Sequence, residues 1–406
     1  MKSEVVIVGA GHAGGMASIF LRKMNFNGPI TLIGQEEYIP YQRPPLSKEF
    51  LLDKMAEKSM FLKSEDFYKK NDIRIIKNTS VIKIEREEKS VVLSDGKGVP
   101  YDKLILATGG NVNRINFTSN NNEIFYMRGL NDAKSLKGIM INHNKALIIG
   151  SGFIGLEVAA VLKMKGLDVT ISEFEDRVLT RSLSKLTANF MQNRHEKEGV
   201  KFIFKKKVRD ILEIDGQKKA ALNDGSYIDY DFIVVGIGIK PNEELASDAS
   251  LAIENGIIVD ENCMTSDPSI FAIGDCTNHL NNIIGKRIRL ESVQNAVEQA
   301  KIVAHFITKT AQPDDRVPWF WSNQYNIKLR IAGIPAKNDL EVVRGDISEE
   351  SFTVFHIRDE KVILVESINN MKEFLIGKKL IEKQLNISKY NLSDLKFNLD
   401  TIFEKD

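Results

Sequence analysis

The feature that most constrains the fold is a strand–glycine–helix pattern that occurs twice. The β-branched run Val5–Val8 leads into Gly9-Ala10-Gly11-His12-Ala13-Gly14, and residues 146–149 lead into Gly150-Ser151-Gly152-Phe153-Ile154-Gly155. Each GxGxxG is followed by a helical pattern, which the first unit shows over residues 16–24. This order predicts two βαβ units, each with parallel strands and a right-handed crossover.

The repeat extends beyond the glycine loops. A second strand is predicted after each helix, at Ile30–Ile33 and at Asp168–Ser172. Further along, an Asp-Gly pair and a Tyr-Asp pair recur in the same order and at a constant offset, as 95–96 with 101–102 and as 224–225 with 230–231. A matched series of this kind predicts two related domains.

The third part of the chain differs from the first two. From Trp319 onward there is no GxGxxG, and strand-like stretches end in a Lys-rich, polar tail with helical character. We therefore predict an α/β fold of two doubly wound, Rossmann-like domains followed by a small α+β C-terminal domain.

Composition excludes several classes of function. Among 406 residues, Lys plus Arg is 56 and Asp plus Glu is 55, so bulk charge does not favour nucleic-acid binding. The two cysteines form no CxxC and the six histidines form no HExxH, which argues against a metal site or a disulfide scaffold. No apolar run reaches the roughly 18 residues of a membrane helix, so we expect no membrane span and a cytoplasmic location.

The glycine loops have a specific physical use. The first Gly allows the tight turn, the second lets the backbone approach a pyrophosphate, and the third lets helix and strand pack closely. The helix N-terminus then offers unpaired N–H groups to the phosphates. Two such loops predict two dinucleotides, the alternative being that one domain has lost its ligand.

The acid after the second strand distinguishes the two loops. Glu173 follows Asp168–Ser172, where a carboxylate accepts hydrogen bonds from the adenosine ribose and repels a 2′-phosphate. Because Phe174 comes next, the second domain favours NAD over NADP, although Arg177 and Arg181 leave room for doubt. In the first unit Gln35 or Glu36 could meet a ribose, or both could be solvated turn residues.

A nicotinamide dinucleotide in one domain leaves the other domain for FAD. Phe271-Ala272-Ile273-Gly274-Asp275 supports this assignment, because a buried strand would present Asp275 at its carboxyl end, where an acceptor suits the ribityl hydroxyls. The alternative is an ordinary turn Asp. We predict an FAD-binding domain from residues 1–110 and 240–317, an NAD-binding domain from residues 111–239, and a C-terminal domain from residues 318–406.

These motifs together resemble the NADH-dependent ferredoxin reductases that supply oxygenases, of the putidaredoxin reductase and rubredoxin reductase type and of glutathione-reductase-like fold. Four segments carry the resemblance beside the glycine loops, at residues 41–48 (YQRPPLSK), 152–157 (GFIGLE), 291–296 (ESVQNA) and 319–324 (WFWSNQ). They span nearly the whole chain in the family's order. The first and last of these segments are the more specific to this branch.

The resemblance implies site residues. It implies FAD contacts for Gly9, Gly11, Ala13, Gly14, Arg43, Lys48, Val81, Ala107, Thr108, Gly109, Arg128, Gly274, Asp275, Val293 and Trp321, and NADH contacts for Gly152, Ile154, Gly155, Glu173 and Gly238. Such reductases often carry an acid where this chain has Gln35, so Gln35 or Glu36 would bind the FAD ribose.

Two residues are implied to be catalytic. Lys48 would lie beside the flavin ring and stabilise the reduced, anionic flavin, and Glu157 would compensate Lys48 and border the nicotinamide pocket. Taken alone, Lys48 is better interpreted as a first-turn helix lysine after Ser47, and Glu157 as a solvated helix residue. The surrounding motifs reverse that preference.

The cysteines decide where the electrons go. Disulfide reductases of this superfamily need redox cysteines, whereas residues 36–60 hold none and Cys263 and Cys276 have no partner motif. We therefore expect NADH to reduce FAD and single electrons to pass to a [2Fe-2S] ferredoxin of a Rieske or P450 system. Rubredoxin is an alternative acceptor, and an NADH-responsive flavoprotein resembling apoptosis-inducing factor is an alternative class.

Two features of the partners stay open. The chain could be a monomer or a homodimer. An acidic ferredoxin predicts a basic docking face, for which the candidates are Lys286, Arg287, Arg289, Arg316, Lys328 and Arg330.

Overall fold

The computed structural model describes residues 3–118, 123–283, 285–311, 317–335 and 339–404. The chain divides into two compact units. The first comprises Met1–Arg43, Ala56–Asn111 and Ile239–Arg316, and the second comprises Pro44–Met55, Val112–Gly238 and Val317–Asp406. Residues 44–55, which the sequence assigns to the FAD-binding domain, therefore lie in the second unit.

The first unit is built on a five-stranded parallel sheet. Its strand order is β19-β7-β1-β2-β3, and the strands are β1 (Val5–Val8), β2 (Ile30–Ile33), β3 (Ile73–Ile76), β7 (Lys103–Leu106) and β19 (Ile270–Ala272). Every residue of β1 is buried, as expected for a central strand that is covered on both faces.

Helices and two smaller three-stranded sheets complete this unit. The helices are α1 (His12–Lys23), α2 (Glu57–Met60), α3 (Glu65–Lys70), α7 (Glu244–Asp248) and α8 (Val293–Thr308), with a 3₁₀ turn at Gly274–Cys276. The smaller strands are β4 (Val81–Glu85), β5 (Ser90–Leu93), β6 (Gly98–Pro100), β18 (Ile257–Val259), β20 (Thr277–Asn281) and β21 (Lys286–Ile288). Where the chain leaves and re-enters the unit, β8 (Gly110–Val112) pairs with β17 (Ile239–Pro241).

The second unit contains a matching parallel sheet. Its order is β12-β11-β10-β16-β9, with strands β9 (Ile124–Tyr126), β10 (Lys145–Ile149), β11 (Asp168–Ser172), β12 (Lys201–Ile203) and β16 (Phe232–Val235). The accompanying elements are a 3₁₀ turn at Pro44–Ser47, helices α4 (Leu130–Ile139), α5 (Phe153–Met164) and α6 (Lys185–Lys197), and an antiparallel sheet of β13 (Val208–Ile214), β14 (Gln217–Leu222) and β15 (Tyr227–Asp229).

The C-terminal part of the second unit is an antiparallel sheet with helices. The sheet runs β22-β23-β26-β25-β24. Its elements are β22 (Trp319–Gln324), β23 (Ile327–Gly333), β24 (Leu340–Asp346), β25 (Ser351–Arg358), β26 (Lys361–Ile368), α9 (Met371–Lys383), α10 (Lys389–Ser393) and a 3₁₀ helix at Leu399–Glu404.

These elements confirm the predicted fold class and explain the internal repeat. In each parallel sheet the strand before the glycine loop, β1 or β10, is third in the order. In each unit a three-stranded antiparallel sheet is followed along the chain by a parallel strand, β7 or β16, and this strand pairs with β1 or β10 respectively. The repeated Asp-Gly and Tyr-Asp pairs lie in and after these antiparallel sheets. Helix α1 begins at His12 rather than at residue 16, because the last residues of the glycine motif form its first turn. Among the helices that the described residues form, none has the length and hydropathy needed to cross a bilayer.

The close packing of the second glycine loop yields a prediction. A Cβ on Gly155 would overlap the backbone oxygen of Gly150, whereas a Cβ on Gly138, in the last turn of α4, would meet no atom within 4 Å. We expect Gly155→Ala to lower the free energy of unfolding by at least about 1–3 kcal/mol through overpacking. Gly138→Ala should raise it by about 0.5–1 kcal/mol, because Gly is a poor helix former. Thermal denaturation of the two variants measures both effects, and equal stabilities would contradict the packing argument.

Candidate functional site

In the first glycine loop, two of the three glycines are tightly packed and the middle one is open. Gly9 has φ +112° and, like Gly14, has backbone oxygen where a Cβ would lie, so both positions must be Gly. The middle glycine, Gly11, is different, since the nearest atom to its would-be Cβ is an Arg43 guanidinium nitrogen at 3.9 Å. Gly11 also precedes α1 without any side-chain cap, which leaves the first N–H groups of the helix available.

The second glycine loop repeats this arrangement. Gly150 has φ +98°, and a Cβ there would approach the Gly236 oxygen to 2.5 Å, whereas at Gly152 the same oxygen is 3.9 Å away. Gly152 likewise precedes α5 with no side-chain cap. Both loops therefore keep one open glycine next to uncapped helical N–H groups, which is the cradle that a dinucleotide pyrophosphate needs.

Glu173 lies where the NAD ribose is expected. One of its oxygens accepts from the Ser151 backbone N–H at 2.7 Å and from the Ser151 hydroxyl at 2.6 Å, and the other accepts from the Glu175 N–H. The carboxylate is therefore held beside the second glycine loop. Sequence reasoning missed Ser151, which occupies the variable position between the first two glycines.

Arg177 does not oppose the NAD assignment. Its guanidinium donates to the backbone carbonyls of Val178, Thr180 and Leu183, so it closes its own loop. An arginine committed in this way is not available to bind a 2′-phosphate.

The two candidate ribose-binding residues of the first unit, Gln35 and Glu36, are not equivalent. Gln35 is exposed, whereas Glu36 accepts from the Tyr41 hydroxyl at 2.6 Å and pairs with Arg43 at 2.5 Å. Glu36 is therefore a fixed group rather than a solvated turn residue. The same contacts place Arg43 beside the first glycine loop.

Other predicted FAD residues gather around this loop. Gly9 packs on Ala107, a Cβ on Gly274 would lie 3.0 Å from the Ala13 Cβ, and Thr108 donates to the Asn242 carbonyl at 2.7 Å. Gln299, which sequence reasoning missed, accepts from the Gly274 N–H at 2.7 Å and so supports the turn that carries Asp275.

His12 provides an independent sign that the first loop takes a ligand. Its Nδ1 is buried without a hydrogen-bond partner. Burial, reinforced by the Arg43 charge, lowers the pKa of His12 to about 4 although Asp275 opposes the shift, so the ring is neutral at pH 7. A buried polar atom without a partner beside a phosphate cradle fits a group that supplies the missing hydrogen bond.

The remaining predicted residues are distributed over both units. In the first unit, Val81 begins β4, Gly109 precedes β8 and Val293 begins α8. In the second unit, Arg128 precedes α4, Ile154 is 42% exposed on α5 and Gly238 has φ +93°. The ring centroids of Trp321 and Trp319 are 5.3 Å apart. No group of three or more His, Cys, Asp or Glu side chains within the described part of the chain is placed to hold a metal ion.

Lys48 and Glu157 form a buried ion pair in the second unit. The Lys48 Nζ is 2.7 Å from the Glu157 Oε2, and the residues are 8% and 2% exposed. The Ser47 hydroxyl donates to the same oxygen at 2.5 Å, and the Ser322 hydroxyl donates to Oε1 at 2.7 Å. Glu157 is thus not a solvated helix residue, and Ser47 ends a 3₁₀ turn rather than capping a helix.

The segment that carries Lys48 is anchored at its far end. Asp53 forms ion pairs with Lys137 of α4 and with Lys165 at the end of α5, and these two lysines lower the pKa of Asp53 to about 2. The Lys137 ammonium also lies 4.8 Å from the Phe50 ring centroid. These contacts explain why residues 44–55 belong to the second unit.

The two cysteines are buried free thiols. Burial raises the pKa of both Cys263 and Cys276. Because the thiolate is the reactive form, neither side chain is suited to disulfide exchange.

The predicted basic face is partly engaged within the chain. Arg287 donates to the Val259 and Asn278 carbonyls, and Arg289 binds Asn255 and Glu291. Lys286 and Lys328 are exposed and Arg330 is half-buried, whereas Arg316 lies outside the described residues.

Comparison with known families now adds to this geometry. Residues 3–300 match the model named pyridine nucleotide-disulphide oxidoreductase, and residues 319–403 match the model named reductase C-terminal. The chain belongs to the pyridine nucleotide-disulphide oxidoreductase family. Membership implies binding of FAD and NAD(H), and the buried thiols set this member apart from the disulfide chemistry in the family name.

Individual relatives narrow the comparison. The chain is 39% identical to rhodocoxin reductase of Rhodococcus erythropolis, over 98% of this chain and 93% of the relative. It is also 39% identical to the rubredoxin-NAD(+) reductase of Pseudomonas putida, over 90% of this chain and 95% of that protein. Among solved structures, the covalent complex of putidaredoxin reductase with putidaredoxin matches with a TM-score of 0.96 at 35% identity, covering 99% of this chain and 98% of that chain. The resemblance expected from the sequence is thereby confirmed.

The buried pair yields a prediction about stability. We expect Lys48→Met or Glu157→Leu to lower the free energy of unfolding by about 3–5 kcal/mol, because each leaves one buried charge without its partner. The double variant should lose less than either single variant, since no unpaired charge remains. Lys165→Met, which removes a more exposed partner of Asp53, is the matched control and should cost at most about 1 kcal/mol. Urea denaturation measures all four proteins, and additive losses in the double variant would contradict the pairing.

Proposed function

We propose that this family member is an FAD-dependent NADH:ferredoxin oxidoreductase that serves an oxygenase, of either Rieske or P450 type. One observation carries the proposal: the chain has two open glycine cradles, yet both of its cysteines are buried thiols. With no dithiol to accept the electrons internally, they leave for a separate protein.

The names of the relatives support an iron-containing acceptor. Rhodocoxin reductase and rubredoxin-NAD(+) reductase are equally similar to this chain, and a putidaredoxin reductase has been solved in covalent complex with putidaredoxin. The acceptor that we propose is a [2Fe-2S] ferredoxin, with rubredoxin as the nearest alternative. The predictions of a cytoplasmic location and of a monomer or homodimer stand beside this proposal.

The first unit supplies the FAD site in this proposal. Gly11 and the first turn of α1 would hold the pyrophosphate, Asp275 the ribityl chain, and Glu36 with Arg43 the adenosine end. The same cradle would involve the other residues that the resemblance implies, including Gly14, Val81, Gly109 and Val293. The chemistry that bound FAD would supply is acceptance of a hydride from NADH and delivery of single electrons to the acceptor.

The second unit supplies the nucleotide site. Gly152, Ile154 and Gly155 would receive the NADH pyrophosphate at the N-terminus of α5, and Gly238 would border it. Glu173 would accept hydrogen bonds from the adenosine ribose hydroxyls. Because its charge repels a 2′-phosphate, this carboxylate selects NADH over NADPH.

Lys48 and Glu157 would set the electrostatics of hydride transfer. The Lys48 ammonium, held by Glu157, would offer positive charge to a bound flavin. Glu157 balances this charge when the ring is oxidised and borders the nicotinamide pocket. Because the pair is buried, water screens it less than it screens an exposed ion pair.

The proposal is tested by anaerobic stopped-flow spectroscopy of the purified protein. NADH should bleach the flavin rapidly, and NADPH should do so far more slowly. Mixing the reduced protein with oxidised [2Fe-2S] ferredoxin, and separately with oxidised rubredoxin, identifies the acceptor class. A protein that binds no flavin, or whose flavin NADH scarcely reduces, would contradict the proposal.

The coenzyme preference gives a further prediction. We expect Glu173→Ala to weaken NADH binding about tenfold or more, because two charge-assisted hydrogen bonds are lost, and to narrow the gap between NADH and NADPH. The control is Glu175→Ala, which removes an exposed acid two residues away and should leave both affinities within about twofold. Apparent dissociation constants from the same stopped-flow traces report the change. An unaltered preference in Glu173→Ala would show that another residue reads the ribose.

A further inference from the structure

The polar contacts of Glu157 continue past the residues used above. Ser322, in β22, donates its single hydroxyl proton to the Glu157 Oε1 at 2.7 Å. Its oxygen in turn accepts from the Gln324 Nε2 at 3.0 Å. Both side chains are essentially fully buried, at 0% and 2% exposure, and they share one face of β22 because they are two residues apart.

His195, on α6, fixes which way the Gln324 amide points. The His195 Nε2 lies 2.7 Å from the Gln324 Oε1. Since the amide NH₂ already donates to Ser322, the amide oxygen must accept, and the His195 Nε2 must carry the proton.

Tyr325 completes the series. Its hydroxyl lies 3.2 Å from the His195 Nδ1, which is the acceptor nitrogen when Nε2 is protonated. Burial raises the pKa of Tyr325, so its phenol stays protonated and donates. Burial also lowers the pKa of His195 to about 4, so the imidazole is neutral at pH 7 and keeps one acceptor nitrogen.

We propose that Tyr325, His195, Gln324 and Ser322 form a one-directional chain of hydrogen-bond donors that ends on Glu157 and orients its carboxylate toward Lys48. These four are positioning residues, since they act through Glu157. Their effect on hydride transfer rests on the proposed function, whereas the existence of the hydrogen-bond chain does not depend on it.

The direction of the chain follows from the inventory of protons at each step. Ser322 can donate to Glu157 only while its oxygen has Gln324 as donor, and Gln324 presents its NH₂ there only while its oxygen faces the His195 N–H. Reversing any one member would bring two donors or two acceptors face to face in a buried site, which is costly. One arrangement therefore satisfies all of them.

The chain also ties the C-terminal sheet to the buried pair. One carboxylate oxygen of Glu157 accepts hydrogen bonds from Ser47 and Lys48, and the other accepts from Ser322 of β22. A ring contact runs alongside, with Phe153 of α5 and Phe320 of β22 at 4.6 Å between centroids. A change in β22 or α6 is thus conveyed to the carboxylate that holds Lys48.

A mutant cycle tests the action through Glu157. His195→Phe keeps an aromatic ring but removes both nitrogens, and we expect it to slow flavin reduction by NADH about tenfold or more through misplacement of the pair. His195→Gln can still offer an N–H to Gln324 and should restore most of the rate. In a Glu157→Gln background, His195→Phe should have no further effect, because the charged carboxylate that the hydrogen-bond chain positions against Lys48 is gone.

The matched control lies on the same helix. Thr187 of α6 donates to the buried Glu366 of β26, a contact of the same kind that does not lead to Glu157. Thr187→Val should therefore leave flavin reduction within about twofold in both backgrounds. The proposal would be overturned by equal rates of flavin reduction in His195→Phe and the parent protein. It would also be overturned if His195→Phe slowed flavin reduction in the Glu157→Gln background by the same factor as in the parent protein.

A second measurement does not depend on the flavin. Imidazole ¹⁵N NMR of the full chain, with the His195 signals assigned by their loss in His195→Gln, should show a neutral, Nε2-protonated ring from pH 7 to pH 5. Gln324→Leu should abolish that tautomer preference, and Thr187→Val should not. An Nδ1-protonated or charged His195 in the parent protein would contradict the proposed hydrogen-bond chain, even if NADH reduces the flavin as proposed. Conversely, if His195 shows this tautomer but NADH does not reduce the flavin, the proposed function is contradicted and the hydrogen-bond chain is not.

Discussion

The buried ion pair of Lys48 and Glu157 is the interaction on which the second unit depends. Three pieces of chain that are far apart in sequence meet at one carboxylate: the segment 44–55, helix α5 and strand β22. A buried charge is tolerated only when it is paired and its remaining lone pairs are satisfied. This requirement explains why Ser47 and Ser322 converge on Glu157. The exposed Asp53 anchors the far end of the segment through ion pairs with Lys137 and Lys165.

Much of the fold could be predicted because its signals are local. Strands β1, β2 and β11 have the bounds that their β-branched runs predict, and the glycine motifs fix the turns between strand and helix. The start of α1 was less predictable, since glycines hide the first turn of a helix. Strand β22 (Trp319–Gln324) was harder to predict, because its three consecutive aromatic residues hide the alternation of apolar and polar residues that marks a half-buried strand.

The site was predictable only in part, for a physical reason. Glycine spacing and an acid after a strand are encoded within about 25 residues, so Gly11, Gly152 and Glu173 could be singled out from the sequence. The partners of Glu157 lie more than 100 residues away along the chain, at Ser47 and Ser322. No pattern in a single sequence reports such a pairing. The cofactor roles of the individual residues remain predictions.

The midpoint potential of the bound flavin tests the central claim most directly, namely that the buried pair controls the chemistry of the cofactors. It can be measured by dye-coupled equilibrium reduction, without NADH, on the parent protein and on Lys48→Met. The account predicts a lower potential in Lys48→Met, because the positive charge that we propose to stabilise the reduced ring would be gone. An unchanged potential, with flavin binding intact, would contradict it and leave the pair with a purely structural role.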